Sequence, residues 1–224
     1  MIVVSGGTSG LGQAITEALR KKGEDVITLS RTSSSDSRHY QCDISDYEAV
    51  KNVYWSLREK NISISALINC AGIASMNLAL TTPPDITNKI IKTNLLGTIF
   101  LNQLLTPLLI KNKAGRIINF STIAVNIGLK GESVYVASKA GVEGFSRVLA
   151  NELAPFNITV NCIAPGPVKT NLLKGISDEQ IGELACHQII KSIMNPADIV
   201  DVVLLLLSPN SSKITGQVLN VGGF

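Results

Sequence analysis

The strongest constraint on the fold is the alternation of short apolar, β-branched runs with longer segments of helical periodicity. A chain of 224 residues can bury one large core. Alternating strands and helices form a parallel sheet with helices on both faces. The sequence therefore predicts a single α/β domain, 1–224, with a doubly wound parallel sheet of the Rossmann type. Strands are predicted at 2–7, 25–30, 65–72, 115–121, 157–166 and 216–223, and helices at 12–23, 45–60, 86–109, 133–155 and 195–208.

Three local signals mark the ends of these helices. The basic cluster 20–22 suits the C-terminus of the first helix, where cations offset the helix dipole. Ser45 and Glu48 have the spacing of a capping box at the start of the second helix. Pro107 is expected to end the third helix.

Composition narrows the class of partner and the compartment. The formal net charge is +3 without a block of basic residues, so we expect no nucleic-acid partner. The apolar segment 199–208 is too short to span a bilayer and contains Asp201. Four cysteines lack CxxC spacing, which favours buried free thiols in a reducing compartment. Because no charged leader follows Met1, we expect a cytoplasmic protein without a membrane segment.

A glycine-rich loop follows the first predicted strand. Gly6, Gly10 and Gly12 have the spacing G-x-x-x-G-x-G, which differs from the G-x-G-x-x-G dinucleotide fingerprint. Glycines permit a tight turn there, and backbone N–H groups at the following helix N-terminus can face a diphosphate. A strand-to-helix turn without a ligand is about as common, so the loop alone leaves both interpretations open.

The end of the second strand bears on the choice of dinucleotide. NAD-binding folds place an acidic residue there for the ribose hydroxyls. This chain has Ser30 followed by Arg31, and a guanidinium suits the 2′-phosphate of NADP. The position favours NADP(H) over NAD(H), and a solvated loop arginine is the alternative.

Tyr135 and Lys139 lie four residues apart in a predicted helix, and therefore on one face. A phenol has a pKa near 10, and a nearby ammonium lowers that pKa by favouring the phenolate. Such a pair can act as acid or base at a carbonyl or an alcohol. Taken alone, a Tyr-x-x-x-Lys pair also arises often by chance.

Five motifs in a fixed order give the pair its context. The glycine loop is followed by NCAG (69–72), KTNLLG (92–97), YVASK (135–139) and PGPVKT (165–170). This order resembles the short-chain dehydrogenase/reductase family over nearly the whole chain. Within that family, the segments 115–122, 135–170 and 214–223 look most like the 3-oxoacyl-(acyl-carrier-protein) reductases.

The resemblance implies roles for residues at matching positions. Tyr135 would be the acid/base and would also contact the cofactor, and Lys139 would lower the pKa of Tyr135 and hold the nicotinamide ribose. Asn94 would hold a water in a proton relay to Lys139. The remaining matches imply contacts with the diphosphate, the 2′-phosphate, the adenine, the ribose and the nicotinamide of NADP(H). In chain order these are Gly6, Thr8, Ser9, Gly10, Leu11, Gly12, Arg31, Asp43, Ile44, Asn69, Ala71, Gly72, Pro165, Gly166, Val168 and Thr170.

The family's catalytic serine usually lies thirteen residues before the tyrosine, and here that position is Thr122. A threonine hydroxyl can also donate to a carbonyl. Ser121 is the alternative, although neighbouring strand residues point to opposite faces. The resemblance thus implies a catalytic set of Asn94, Thr122, Tyr135 and Lys139.

Three functions are compatible with this set. The first is an NADP(H)-dependent carbonyl reductase or alcohol dehydrogenase, with a 3-oxoacyl thioester as one candidate substrate. The second is a cofactor-binding regulator that has lost catalysis, which only Thr122 favours. The third is an epimerase or dehydratase of the same fold, for which the sequence shows no further acid/base group.

The resemblance also bears on substrate and partners. Segments 73–82, 123–134 and 171–194 are expected to shape a pocket for a small carbonyl or alcohol. Lys113 and Lys174 match basic positions that contact an acidic carrier protein, and surface solvation is the simpler interpretation of both. Glu132 replaces a glutamine common in the carrier-protein reductases, which argues against a carrier-linked substrate. The helices at 86–109 and 133–155 imply a homodimer or homotetramer. His39 and His187 stand isolated in the sequence, so no metal site is expected.

Overall fold

The computed structural model describes residues 1–170, 182 and 185–224. Its strands form one parallel sheet of seven in the order β3-β2-β1-β4-β5-β6-β7. Helices cover both faces, so the predicted fold class is confirmed. The strands are β1 (Ile2–Ser5), β2 (Val26–Ser30), β3 (His39–Gln41), β4 (Ala66–Asn69), β5 (Gly115–Phe120), β6 (Ile158–Pro165) and β7 (Val218–Val221).

Seven α-helices within the described residues connect these strands. A π-helical turn, Ile91–Leu96, joins the third and fourth of them into one continuous helical run. The helices are α1 (Gly10–Lys21), α2 (Tyr47–Glu59), α3 (Pro84–Ile90), α4 (Gly97–Ile110), α5 (Ala124–Ile127), α6 (Ser133–Leu153) and α7 (Pro196–Leu207).

Two apolar cores lie on opposite faces of the sheet. Helices α2, α4 and α6 cover one face, where Leu57, Leu105 and Leu153 are buried. Helices α1 and α7 cover the other face with residues such as Ile15 and Val203. Both cores follow from the sequence, because strands buried on two sides need nearly continuous runs of Val, Ile and Leu.

The strand order places a crevice beside β1. The chain passes from β1 to β2 on one side and from β4 to β5 on the other, so the loops that follow β1 and β4 run in opposite directions. Ser5 at the end of β1 aligns with Leu29 of β2 and Asn69 of β4. The glycine loop, Arg31 and the 69–72 motif therefore meet at this edge of the sheet.

Two local predictions were wrong, and one strand was missed. Asp46, rather than Ser45, caps α2, because its carboxylate accepts from the N–H groups of Glu48 and Ala49 at 2.9 and 3.4 Å. Pro107 lies inside α4 instead of ending it, since the buried Leu108 and Leu109 hold the last turn against the sheet. Strand β3 was not predicted, because it has only three residues and they are polar.

The cysteines differ in part from the expectation of buried thiols. All four are free; Cys42 and Cys162 are buried and Cys70 is partly buried, whereas Cys186 is exposed. The exposed thiol lies after a segment outside the described residues.

The continuous helical run Pro84–Ile110 is long and apolar enough to cross a membrane by length and composition alone. Half of its apolar window is buried inside the fold. Leu101, Leu105 and Leu109 belong to the apolar core beneath the sheet. Burial of this kind is what the core helix of a folded domain shows.

Candidate active site

A single cavity of about 930 Å³ extends along the carboxyl edge of the sheet. It begins at the glycine loop between β1 and α1, passes Arg31 and Asp43, and ends between β5 and α6. Most of the predicted site residues share its wall. They are Gly6, Thr8, Ser9, Gly10, Leu11, Gly12, Arg31, Asp43, Ile44, Ala71, Gly72, Thr122, Tyr135, Lys139, Pro165, Gly166, Val168 and Thr170.

The glycine loop is shaped to receive a group close to its backbone. Gly6 has φ of 71°, a left-handed conformation that favours glycine. A Cβ on Gly12 would overlap the carbonyl oxygen of Gly6 and lie 2.7 Å from its carbonyl carbon. Helix α1 begins at Gly10, and no side chain in the described part of the chain caps it. Its first N–H groups therefore face the cavity as a site for a diphosphate.

Arg31 and Asp43 lie at the end of the cavity beside β2. The guanidinium of Arg31 is exposed, and no carboxylate of the described residues pairs with it. The side chain of Gln41 donates to the backbone oxygen of Arg31 at 2.9 Å and fixes the turn. The Asp43 carboxylate accepts from the N–H and hydroxyl of Ser45. A free cation at this point suits a phosphate on the adenosine ribose.

Asn69 differs from its expected place in the cavity wall. Its side chain is buried between β4 and β5, where Nδ2 donates to Oδ1 of Asn119 at 2.7 Å. The amide thus joins two strands behind the cavity instead of reaching a ligand. A contact between Asn69 and the adenosine ribose stays a prediction, and in this arrangement the main chain of Asn69 would make it.

Asn94 lies behind the wall as well, on the π-helical turn Ile91–Leu96. Its amide exchanges two hydrogen bonds of 2.9 Å with the backbone of Ile73 and donates to Ser138 Oγ at 3.1 Å. Gly72 separates Asn94 from the cavity. A Cβ at that glycine would lie 3.3 Å from Asn94 Oδ1 and 3.4 Å from Lys139 Nζ. The amide and the ammonium therefore face the same small space.

Ser121 and Thr122 direct their hydroxyls to different places. Ser121 donates to Oε1 of Glu143 at 2.6 Å, and both residues are buried. The Thr122 hydroxyl accepts from the N–H of Ala124 at 3.2 Å, and it lies near enough to Tyr135 to lower the pKa of that phenol. Only the threonine hydroxyl is therefore placed beside the phenol of Tyr135.

The electrostatics of Tyr135 differ from the expectation for an isolated Tyr–Lys pair. Burial raises the pKa of Tyr135 well above its ordinary value, the charge of Glu132 raises it further, and the hydrogen bond from Thr122 lowers it. The Lys139 ammonium donates to the backbone oxygen of Phe120 at 2.8 Å, so it is bound to the main chain rather than to the phenol. Burial lowers the pKa of Lys139 to about 8. Burial thus shifts both groups toward their neutral forms, but with a pKa of about 8 Lys139 still carries its proton at pH 7.

Several wall residues were not among the predicted site residues. Glu132, Met76 and Leu129 come from the segments expected to shape the substrate pocket, and Cys70 comes from the 69–72 motif. Much of the predicted segment 171–194, including Lys174, lies outside the described residues. Of these residues, only Glu132 had a sequence signal of its own, which was its position three residues before Tyr135.

Comparison with known proteins gives matches along nearly the whole chain. A family model described as enoyl-(acyl carrier protein) reductase matches residues 6–224. The 3-oxoacyl-(acyl-carrier-protein) reductase of Vibrio harveyi is 31% identical over 99% of this chain and 95% of its own. The corresponding reductase of Mycobacterium tuberculosis is also 31% identical, over 99% and 91%. The ligand-free aldohexose dehydrogenase of Thermoplasma acidophilum superposes with a TM-score of 0.90 at 29% identity, over 99% and 92%.

Sheet topology, glycine loop and Tyr–Lys pair together define an oxidoreductase of the Rossmann type. The matches extend along the whole chain, with similar coverage of each relative. The chain belongs to the short-chain dehydrogenase/reductase family.

Proposed function

We propose that the protein is an NADP(H)-dependent oxidoreductase acting on a carbonyl compound or a secondary alcohol in the cytoplasm. The observation that carries this proposal is the single cavity that joins the glycine loop and Arg31 to Thr122, Tyr135 and Lys139. Its length provides for a dinucleotide along the sheet edge, with space for a substrate beside Tyr135.

Bound NADPH supplies the hydride that, with one proton, converts a carbonyl into a secondary alcohol. Thr122 donates to the carbonyl oxygen and holds it beside Tyr135. The raised pKa of Tyr135 keeps the phenol protonated, so it is an acid that can deliver its proton as negative charge develops. In the opposite direction the phenolate must form, which requires the positive charge of Lys139 to come closer to it.

Lys139 and Asn94 have supporting roles in the same proposal. The ammonium of Lys139 holds the ribose and restores the proton of Tyr135. The space shared by Lys139 and Asn94 at Gly72 supports a water-mediated relay between them. Asn94 is fixed in orientation by its bonds to Ile73 and Ser138, as a relay group needs to be.

The preference for NADP(H) rests on Arg31. An exposed guanidinium without a carboxylate partner among the described residues offers bidentate bonds to a 2′-phosphate. No acidic side chain occupies the end of β2, where Ser30 stands.

A 3-oxoacyl thioester is one candidate substrate, supported by the activity that the names of the two reductases state. The apolar wall at Ile73, Met76 and Leu129 suits an acyl chain. Lys113, a position matched to carrier-protein binding, is exposed in the turn after α4. We further propose a homodimer or homotetramer built on the helical run 84–110 and on α6.

Retention of the complete catalytic set argues against the regulator without activity. Thr122, Tyr135 and Lys139 share one cavity wall, and the threonine hydroxyl takes the position next to the phenol. A chain that only bound a cofactor would not need this arrangement.

The test follows the near-ultraviolet absorbance of NADPH, and then of NADH, with a panel of ketones that includes acetoacetyl thioesters. We expect oxidation of NADPH by at least one ketone. Tyr135→Phe should abolish this turnover and retain NADPH binding, because the phenol hydroxyl contacts the substrate rather than the diphosphate. Equal turnover by Tyr135→Phe would contradict the proposal.

A further inference from the structure

Glu132 is a buried carboxylate in the cavity wall with no partner in the described structure. It stands immediately before α6 and is 8% exposed. Its backbone is engaged, since its N–H donates to Leu129 O and its carbonyl accepts from Val136 N–H. Among the residues described, none donates a hydrogen bond to its carboxylate or pairs with it.

Lys139, the cation that shares this part of the cavity wall, is committed elsewhere, because it donates to the backbone oxygen of Phe120. Glu143 itself shows how this fold treats a buried carboxylate, because Ser121 and Arg147 both satisfy it. Glu132 has no such donors, and its carboxylate oxygens are not among the fully enclosed polar atoms of the described residues, so they stay accessible from the cavity.

The location of Glu132 connects it with the reacting carbonyl. It lies one helical turn before Tyr135, and its charge raises the pKa of that phenol. Burial in turn raises the pKa of Glu132. Ile127 and Leu129 line the cavity on the same side and provide no polar group to pair with it. A donor for this carboxylate can therefore be supplied by a molecule in the cavity.

We propose that Glu132 recognises a hydrogen-bond donor, a hydroxyl or an ammonium, close to the reacting carbonyl of the substrate. The inference rests on the proposed function and names its substrate class: hydroxyketones or aminoketones, with the matching diols or amino alcohols in the other direction. A site built around a buried acceptor rejects a substrate that lacks the donor, because the acceptor is then left unpaired.

The test compares acetone, hydroxyacetone and aminoacetone as substrates in the presence of NADPH. A second trio has one more methylene, which in the donor-bearing ketones lies between the carbonyl and the donor. The wild type should show a kcat/KM at least about tenfold higher for the donor-bearing ketones than for the plain ketone of the same trio. Glu132→Leu should remove this ratio, whatever its effect on the absolute rate with the plain ketone. Glu132→Gln should keep part of the preference for the hydroxyl and lose the preference for the ammonium, which separates the two donors.

The ratio within one variant is the decisive quantity. Loss of Glu132 also lowers the pKa of Tyr135, but that change affects all ketones alike and cancels in the ratio. Glu152→Gln, on the exposed end of α6, is the matched control and should leave the ratio unchanged. An equal ratio in the wild type and Glu132→Leu would overturn the inference while leaving the proposed function intact.

A second readout does not need turnover. Calorimetry measures how tightly the same ketones bind to Tyr135→Phe with NADPH present. The donor-bearing ketones should bind more tightly than the plain ketones. Adding Glu132→Leu should abolish this preference. Equal binding of all ketones, or binding of none, would overturn the inference. A wild type that reduces no ketone but binds donors preferentially would contradict the proposed function alone.

Discussion

Separate replacement of Thr122 and Ser121, the two adjacent hydroxyl residues that follow β5, distinguishes an effect on catalysis from an effect on stability. In Thr122→Val the side chain keeps its shape but loses the hydroxyl beside Tyr135. The N–H of Ala124 already donates to this hydroxyl, so its own proton is available for the phenol or the substrate carbonyl. Loss of one preorganised donor at a developing oxyanion lowers kcat about a hundred- to a thousandfold. Thr122→Ser should retain most of the activity.

Ser121→Ala should have the opposite effect. It removes the 2.6 Å hydrogen bond to the buried Glu143 and leaves Oε1 of that carboxylate without its serine donor. The free energy of unfolding should fall by about 1–3 kcal/mol, because the acceptor is charged and buried. The kcat should stay within about twofold of the wild type, since Ser121 makes no contact with the reacting atoms in this arrangement.

The assay combines steady-state kinetics of the protein with NADPH and urea unfolding of the same variants. Thr122→Val should lose about 1 kcal/mol of stability through the Ala124 N–H, so the comparison depends on kcat. A hundredfold loss of kcat in Ser121→Ala, with Thr122→Val near the wild type, would refute the assignment and restore Ser121 as the substrate-binding hydroxyl.

Three further predictions concern the cofactor and the buried lysine. Arg31→Ser should raise the KM for NADPH at least about tenfold and leave the KM for NADH unchanged. The control is Arg38→Ser, which removes an exposed arginine that pairs with Asp25. An unchanged KM for NADPH in Arg31→Ser would contradict the role of Arg31. Gly12→Ala should destabilise the fold by about 1–3 kcal/mol and abolish NADPH binding, because its Cβ overlaps Gly6; calorimetric binding of normal affinity would be the contrary result. The pKa of Lys139 is about 8 in the folded state, below its ordinary value of 10.5. The unfolded chain therefore binds this proton more tightly than the folded chain does. As a result, the free energy of unfolding rises as the pH increases through 8. Urea unfolding from about pH 7 to about pH 9 should show a gain of roughly 1 kcal/mol in the wild type relative to Lys139→Met, and parallel curves would count against it.

Much of the fold could be predicted because strands buried on both faces require uninterrupted apolar residues. β1, β5 and β6 were visible for this reason, and the glycines after β1 showed where the first turn lies. β3 had no such signal, since a three-residue strand at the sheet edge needs no apolar run. The cap of α2 was displaced by one residue, because Asp46 competes better than Ser45 for the free N–H groups of the first turn.

Site residues could be predicted where their arrangement follows from spacing along the sequence. They could not be predicted where their arrangement follows from packing between distant segments. Spacing put Tyr135 and Lys139 on one helix face, and the resemblance to the family pointed to Thr122 rather than Ser121. The π-helical turn that carries Asn94 depends on its bonds to Ile73 and Ser138, which are distant in sequence. The absence of a described partner for Glu132 depends likewise on how the segments around 73–76 and 127–132 pack.

The most direct test of the central claim uses NADPH labelled with deuterium at the nicotinamide C4 and a ketone that the protein reduces. If the cavity holds the nicotinamide beside Tyr135 and Thr122, the deuterium should appear on the former carbonyl carbon of the alcohol. Tyr135→Phe should bind the same labelled NADPH and transfer none. An alcohol without deuterium when both C4 positions carry the label, or transfer that continues unchanged in Tyr135→Phe, would contradict the account.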